Sequence, residues 1–180
     1  HLQEAGQQQD LVSRASLSAV WLRHVADSAQ LLDHVSRETG GWLDLGTGAG
    51  FPGLVVAIMD PSREIKLVES RNLRVQWLQA MVGRLGISNC EIFAGDVRKA
   101  PQLAAAVISA RAFAPLDRLI ALSARFSTAS TQWVLPKGRS ASQEVAALPS
   151  AQRAMFHVKQ SVTDERAGIV VGTGKMEIRA

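Results

Sequence analysis

The residues best suited to chemistry lie between positions 44 and 53, where Asp44-Leu45 runs into Gly46-Thr47-Gly48-Ala49-Gly50-Phe51-Pro52-Gly53. Glycines this dense let a ligand approach the backbone where a side chain would block it, and they accept positive φ readily. Gly48-x-Gly50-x-x-Gly53 matches the fingerprint of a dinucleotide site, and Glu69 follows at about the 20 residues expected of a ribose-binding acid. A nicotinamide cofactor and S-adenosylmethionine both carry an adenosine ribose that a carboxylate can hold, so Glu69 does not choose between them. The register does. A dinucleotide loop opens its fingerprint at the strand end, with the pyrophosphate on the following helix N-terminus. Here that pattern begins only at Gly48, past the strand end, which favours the methyl donor.

Such a loop needs a strand to deliver it and a helix to receive it. The pattern predicts a strand from Trp42 to Leu45 and, after Pro52 in a first helical turn, a helix over the apolar run Leu54 to Met59. A second strand is expected from Ile65 to Val68. It leads to a helix from Arg71 to Leu85, with Val75, Leu78, Met81, Val82 and Leu85 on one face and Gly86 as its stop. Strands follow at Cys90 to Ala94, Ala106 to Ser109 and Gln132 to Leu135, with helices at Pro115 to Ala124 and around Ser142 to Ala147. Two last strands, Ala154 to Lys159 and Ile169 to Val171, flank the polar stretch Thr163-Asp164-Glu165-Arg166 and read as an antiparallel hairpin at the sheet edge. Upstream, Leu17, Val20, Trp21, Val25, Ala29 and Leu32 recur at steps of three and four, which predicts one amphipathic helix ended by Gly40-Gly41.

Strands alternating with helices need crossover connections, so the fold class is α/β: a doubly wound, mostly parallel seven-stranded sheet with helices on both faces. In such a sheet the ligand sits beyond the carboxyl ends of the strands, where strand order reverses. The expected organisation is a single domain, with an N-terminal helical segment, 1–38, packed on a nucleotide-binding core, 39–180.

The chain has 180 residues, 47% hydrophobic and 20% charged, as in an ordinary globular domain. Cys90 is the only cysteine, which excludes an internal disulfide and a multi-cysteine metal site and suits a reducing cytoplasm. No apolar run approaches the ~20 residues of a membrane span, and the first ten residues lack the layout of a secretory signal. The chain begins at His1 rather than Met, from which a longer natural N-terminus is expected. The net charge of +4 favours a polyanionic partner, though it also describes an ordinary solvated basic surface. Trp77 and Trp133 are expected in the core, and the shortage of other aromatics argues against a base-stacking sheet.

Four ordered segments carry a resemblance. They are Leu43 to Gly53, Arg23-His24-x-x-Asp27-Ser28, Ser109-Ala110-Arg111-Ala112-Phe113-Ala114, and Leu135-Pro136-Lys137-Gly138. Together they resemble the 16S rRNA guanine-N7 methyltransferases, also called the glucose-inhibited division protein B family, from about Asp10 to the C-terminus. The resemblance implies a Rossmann-like class I methyltransferase with S-adenosylmethionine as cofactor. It places cofactor contacts at Gly46, Gly48, Gly50 and Phe51, at Val97 and Arg98, and at Arg111, with Glu69 as the ribose acid and Asp96 beside the adenine. Arg111 is also a candidate for holding RNA. It implies small-subunit ribosomal RNA or the small subunit as substrate, no membrane, and a monomeric cytoplasmic enzyme.

Guanine N7 has a free in-plane lone pair, so alignment and exclusion of water are expected to carry the reaction, without a catalytic acid or base. The candidates for RNA binding are Arg14, Arg23, His24, Lys137 and Arg139, with Arg71 and Arg74 as further phosphate partners. His24, Asp27 and Ser28 also fit a plain hydrogen-bonding cluster on one helix face. Two other functions fit the residues: a small nicotinamide-dependent oxidoreductase, and a noncatalytic RNA-binding or ribosome-assembly factor.

Overall fold

The computed structural model describes residues 11–177, the side chain of Arg14 excepted. Seven strands form one sheet: β1 (Trp42–Leu45), β2 (Ile65–Glu69), β3 (Cys90–Ala94), β4 (Val107–Ser109), β5 (Gln132–Gly138), β6 (Phe156–Gln160) and β7 (Gly168–Thr173). Their order is β3-β2-β1-β4-β5-β7-β6. β1 to β5 pair in parallel and β7 pairs antiparallel with both β5 and β6, so the expected hairpin does close the edge. The order reverses between β1 and β4, which puts the loops after those strands at the ligand position for this topology.

β1 and β4 are buried along their whole length, as central strands covered on both faces must be. Leu43, Leu45, Ile108 and Trp133 pack on one face against Leu116, Leu119 and Phe126. Trp42, Ile65, Leu67 and Val107 pack on the other against Leu54, Val56 and Leu78. The covering helices are α3 (Gly53–Met59), α4 (Asn72–Arg84), α5 (Leu116–Ser123) and α6 (Ala141–Ala146). These match the sequence expectations to within a residue or two at most ends. β5 runs further than expected because a register shift between Pro136 and Gly138 lets it continue past the proline. A four-residue helix, α7 (Ser150–Arg153), starts behind Pro149 and was not foreseen.

The N-terminal segment departs from its pattern. It forms α1 (Arg14–Leu17) and, after a turn, a continuous helical run from a π-helical stretch Trp21–Ala26 through α2 (Asp27–Ala29) to a 3-10 turn Gln30–His34, so the expected helix is present but widened along part of its length. The expected apolar face is only partly buried: Trp21 is 76% exposed, while Leu17, Val20, Val25, Ala29 and Leu32 are half-buried. One tertiary bond falls within this widened stretch. Arg111 donates to the Arg23 carbonyl at 3.1 Å, drawing one backbone acceptor into a tertiary contact where the ladder widens. Within the widened turn it is His24, not Trp21, that is buried.

Candidate functional site

The loop after β1 is shaped by backbone conformation. Gly46 and Gly48 have φ of 62° and Gly50 has φ of 100°, a left-handed region that glycine enters without a Cβ penalty. Gly46 and Thr47 donate their N–H groups to the Val68 carbonyl at 2.8 and 3.2 Å, which folds the loop over the end of β2. Asp44 anchors it from beneath, because its Oδ2 accepts from the Gly53 N–H at 3.0 Å and its Oδ1 from the Ser109 hydroxyl at 2.7 Å. Trp42 Nε1 donates in turn to Ser109 at 2.7 Å. Burial raises Asp44 to about 6, against the pull of the hydrogen bonds from Ser109 and Gly53.

Glu69, at the end of β2, is buried and already employed. Its Oε1 accepts from the Ser70 and Arg71 N–H groups at 2.8 and 2.9 Å, and its Oε2 from the Gly48 N–H at 3.0 Å. A carboxylate offers about four acceptor positions, so Oε2 keeps room for one hydroxyl. Glu69 therefore holds the glycine loop onto the start of α4 and still has capacity for a ribose contact.

Beside it lies a pocket of about 200 Å³ lined by Gly46, Val68, Ser70, Val97, Arg98 and Phe113, with Asp96 on its rim. Asp96 caps the turn Val97–Lys99 by accepting from the Arg98 N–H at 2.8 Å. The Arg98 guanidinium pairs with the same carboxylate, which holds Asp96 well below the usual carboxylate range. Val97 is buried, while the Arg98 side chain is 73% exposed, so the pocket wall at this point is Val97 and the Arg98 charge turns outward onto Asp96.

On the other side of Phe113 is a larger cleft of about 1260 Å³, whose lining includes His24, Asp27, Arg111, Lys137 and Thr163. Phe113 lines both spaces. A Cβ at Gly46 would strike its ring, so glycine is what lets ring and loop meet. The loop carrying Phe113 turns at Ala112, which has φ of 51°, an uncommon conformation for a residue with a side chain.

Arg111 joins the loop after β4 to the N-terminal segment. It lies 5.2 Å from the centre of the Phe51 ring, its Nη2 is 2.9 Å from His24 Nδ1, and its Nη1 is 3.6 Å from the Asp27 carboxylate. His24 stacks on Phe51 with ring centres 5.0 Å apart. Burial, and the charges of Arg111 and Arg23, lower His24 to about 4 despite the nearby Asp27, so the ring is neutral at pH 7. Among the described residues its Nε2 is buried without a hydrogen-bond partner, a state that costs about 1–3 kcal/mol.

The sequence candidates thus divide. Gly46, Gly48, Gly50, Phe51, Glu69, Asp96, Val97, Arg98 and Arg111 gather at the carboxyl ends of β1 to β4. His24, a candidate for RNA, joins this group through Phe51 and Arg111. Lys137 lines the cleft, but its ammonium donates to the Ala114 carbonyl and pairs with Glu144 at 3.0 Å with only 8% of the side chain exposed. It clamps the loop that carries Phe113. Arg23 and Arg139 are exposed, and both act on Asp164 at the cleft rim. The side chain of Arg14 lies outside the described residues.

Residues that sequence reasoning passed over are Phe113, Glu144, Gln30 and Thr163. Thr163 donates to Asp27 at 2.7 Å, and Gln30 donates to Asp27 and Ser161. Glu144 accepts from the Leu116 N–H at 2.7 Å and from Ser140 at 2.6 Å. Only Phe113 had a signal, its place in the segment Ser109 to Ala114.

Comparison with known proteins agrees with this geometry. Residues 1–168 match the family model described as GidB, rRNA small subunit methyltransferase G. A ribosomal RNA small subunit methyltransferase G from Erythrobacter litoralis is 58% identical over 174 residues, covering 97% of this chain and 84% of its own. The protein of that name from Novosphingobium aromaticivorans is 56% identical over 169 residues, covering 92% and 73%. Among solved structures, an Aquifex aeolicus SAM-dependent methyltransferase superposes with a TM-score of 0.63 at 15% identity, covering 86% of this chain and 92% of that one. MtNAS in complex with S-adenosylmethionine gives 0.62 at 15% identity, covering 96% and 72%. At such identities these structures speak for the fold alone.

Proposed function

Because the chain belongs to the rRNA small subunit methyltransferase G family, we propose that this S-adenosylmethionine-dependent enzyme methylates N7 of a guanine in 16S ribosomal RNA. One observation carries the reading: Gly46, the first left-handed glycine, lines the 200 Å³ pocket together with Phe113, and Phe113 also lines the 1260 Å³ cleft. A donor and a large substrate therefore have adjoining places with one ring between them.

The residues fit the cofactor. Gly46 leaves room for close approach, Oε2 of Glu69, next in the chain to the pocket residues Val68 and Ser70, accepts from Gly48 with Arg74 3.9 Å away and keeps an acceptor position for a ribose hydroxyl, and Val97 offers an apolar wall to a purine. S-adenosylmethionine, when bound, supplies an electrophilic methyl group on a sulfonium. The chain's task is to hold the guanine edge in line with that methyl and to keep water away. Arg111, Phe113 and Lys137 suit this role, the first two by lining the junction and Lys137 by fixing the Ala114 carbonyl. None of these side chains has to remove a proton from N7.

N7 lies in the deep groove of an A-form duplex, so the target is a guanine in a loop or a locally opened helix. Arg23 and Arg139, exposed at the cleft rim, are our choice for phosphate contacts, and Arg14 is placed with them on sequence grounds. We keep 1–38 as an N-terminal helical segment belonging to the same domain as the cofactor-binding core, 39–180; of its described residues Arg23, His24 and Asp27 line the cleft. No membrane is involved in this reading, and the site of action is the cytoplasm. The oxidoreductase alternative is dropped, since family and register both favour the methyl donor.

The test is methyl transfer from radiolabelled S-adenosylmethionine to small ribosomal subunits and to naked 16S rRNA from cells lacking the enzyme, followed by cleavage at N7-methylguanine. Label at one guanine is the expected result. Folded protein that binds the RNA without labelling it would return the reading to a noncatalytic RNA-binding factor.

A further inference from the structure

A guanidinium has N–H donors and no acceptor. Arg111 Nη2 sits 2.9 Å from His24 Nδ1, so Nδ1 must be the acceptor and carries no proton. The neutral imidazole then has its only N–H at Nε2, fixed there by the arginine. That N–H is buried and has no partner among the described residues. The Asp27 carboxylate does not reach it, being taken by Gln30, Thr163 and Arg111.

The position of the ring says what could satisfy it. His24 stacks on Phe51, the residue immediately after the left-handed glycines, and lines the cleft on the opposite side of Phe113 from the 200 Å³ pocket. A pocket of that size can take the adenosine half of S-adenosylmethionine but not the whole molecule. Phe113 lines both this pocket and the cleft, so the amino-acid half is assigned to the cleft side, where Arg111 and His24 lie and both pack on Phe51. Its one anionic group is a carboxylate, which matches a fixed cation beside a neutral donor.

We propose that His24 Nε2–H donates to the carboxylate of bound S-adenosylmethionine, next to the Arg111 guanidinium, and so reads the amino-acid end of the cofactor. The proposal rests on the methyl-donor reading of the site. It assigns to the N-terminal segment a part in cofactor binding, where the sequence suggested RNA contact or a structural cluster. The neutrality of the ring at pH 7 supports it, because only the neutral ring can accept from Arg111 and donate to a ligand at once.

Calorimetric titration with S-adenosylhomocysteine and with 5′-methylthioadenosine, which lacks the amino-acid half, separates this contact from the rest of the site. In His24→Phe, which retains a ring to stack on Phe51, affinity for S-adenosylhomocysteine should fall about tenfold, the loss of one charge-assisted hydrogen bond. Affinity for methylthioadenosine should change less than about twofold. Nitrogen NMR of the unmodified chain gives a second reading: Nε2 of His24 is protonated and its signal moves on addition of S-adenosylhomocysteine but not of methylthioadenosine. Equal weakening of both ligands, no change in either, or a proton found on Nδ1 overturns the proposal. A response of the Nε2 signal to guanine RNA alone also overturns it. Failure of the unmodified chain to bind S-adenosylhomocysteine would instead bring down the cofactor reading beneath it.

Discussion

The Asp27 carboxylate lies 3.6 Å from the Arg111 guanidinium, so the N-terminal segment and the loop after β4 share one partly buried ion pair. The same carboxylate accepts from Thr163 and Gln30. Asp27→Asn keeps the shape but removes the counter-charge from an arginine whose side chain is only 20% exposed. Expected is a loss of about 1–3 kcal/mol, smaller than for a fully buried pair because water still reaches both partners. A chain of this size then melts several degrees lower, at roughly 2–4 °C per kcal/mol. An unchanged midpoint in a calorimetric scan would mean that Arg111 finds all its support elsewhere.

Gly46→Ala meets two obstacles, a φ of 62° and the Phe113 ring. The conformational part costs about 1–2 kcal/mol. The collision adds to it and closes the cofactor side of the loop, so binding of S-adenosylhomocysteine should be lost. Adding Phe113→Ala to Gly46→Ala should recover the steric part and leave the conformational part, a coupling that a double-mutant cycle in denaturant measures. Strict additivity of the two changes would show that ring and loop do not touch in solution.

Two buried groups titrate in overlapping windows with opposite effects on stability. Asp44, raised to about 6 from 3.8, is protonated longer in the folded chain, so its contribution falls as pH rises from about 4 to 6 and is constant above. His24, lowered to about 4 from 6.5, has the reverse sign: its contribution is present above 6.5 and is lost as pH falls toward 4. The charges acting on His24 are Arg111, Asp27 and Arg23. Relative to the unmodified chain, Asp44→Asn should make the stability curve climb more steeply between pH 4 and 6. His24→Phe should make it climb less. Urea midpoints across this range would decide; the same change of slope in both variants refutes the assignment.

Arg23 and Arg139 are exposed around Asp164 at the cleft rim. If each meets one phosphate, Arg23→Ala and Arg139→Ala should weaken RNA binding and lower the slope of log affinity against log salt by about 0.7 to 1 each. Cofactor affinity should stay as it was. Binding isotherms at several salt concentrations give the slope directly, and an unaltered slope removes that arginine from the interface.

The parts legible in the sequence were those set by local rules. Alternating strands and helices dictated the sheet, and Gly46 to Gly53 announced a ligand loop because only glycine tolerates both the φ values and the close approaches found there. The N-terminal helix forms where its periodicity predicts, but its widening at Trp21–Ala26 leaves no mark in spacing, which does not register a carbonyl taken by a distant arginine, as Arg111 takes that of Arg23. Glu69 was recognised as an acid near the ribose position. Its three backbone N–H partners were not, since they depend on how the loop folds back over β2. Nor does the spacing around Lys137 show its ion pair with Glu144 on α6. Pairings across the fold leave no trace in spacing.

The bond from Thr163 to Asp27 also sets a timetable. A nascent chain that has released everything through β5 already owns the glycine loop and the parallel half of its sheet, yet the hydroxyl that fastens Asp27 is still to be made. Until β6 and the turn beyond it emerge, the segment bearing His24 is held by Phe51, Arg111 and the packing of Leu31, but its Asp27 lacks the Thr163 hydroxyl that closes the cleft wall. The larger cleft is therefore among the last features to mature during synthesis.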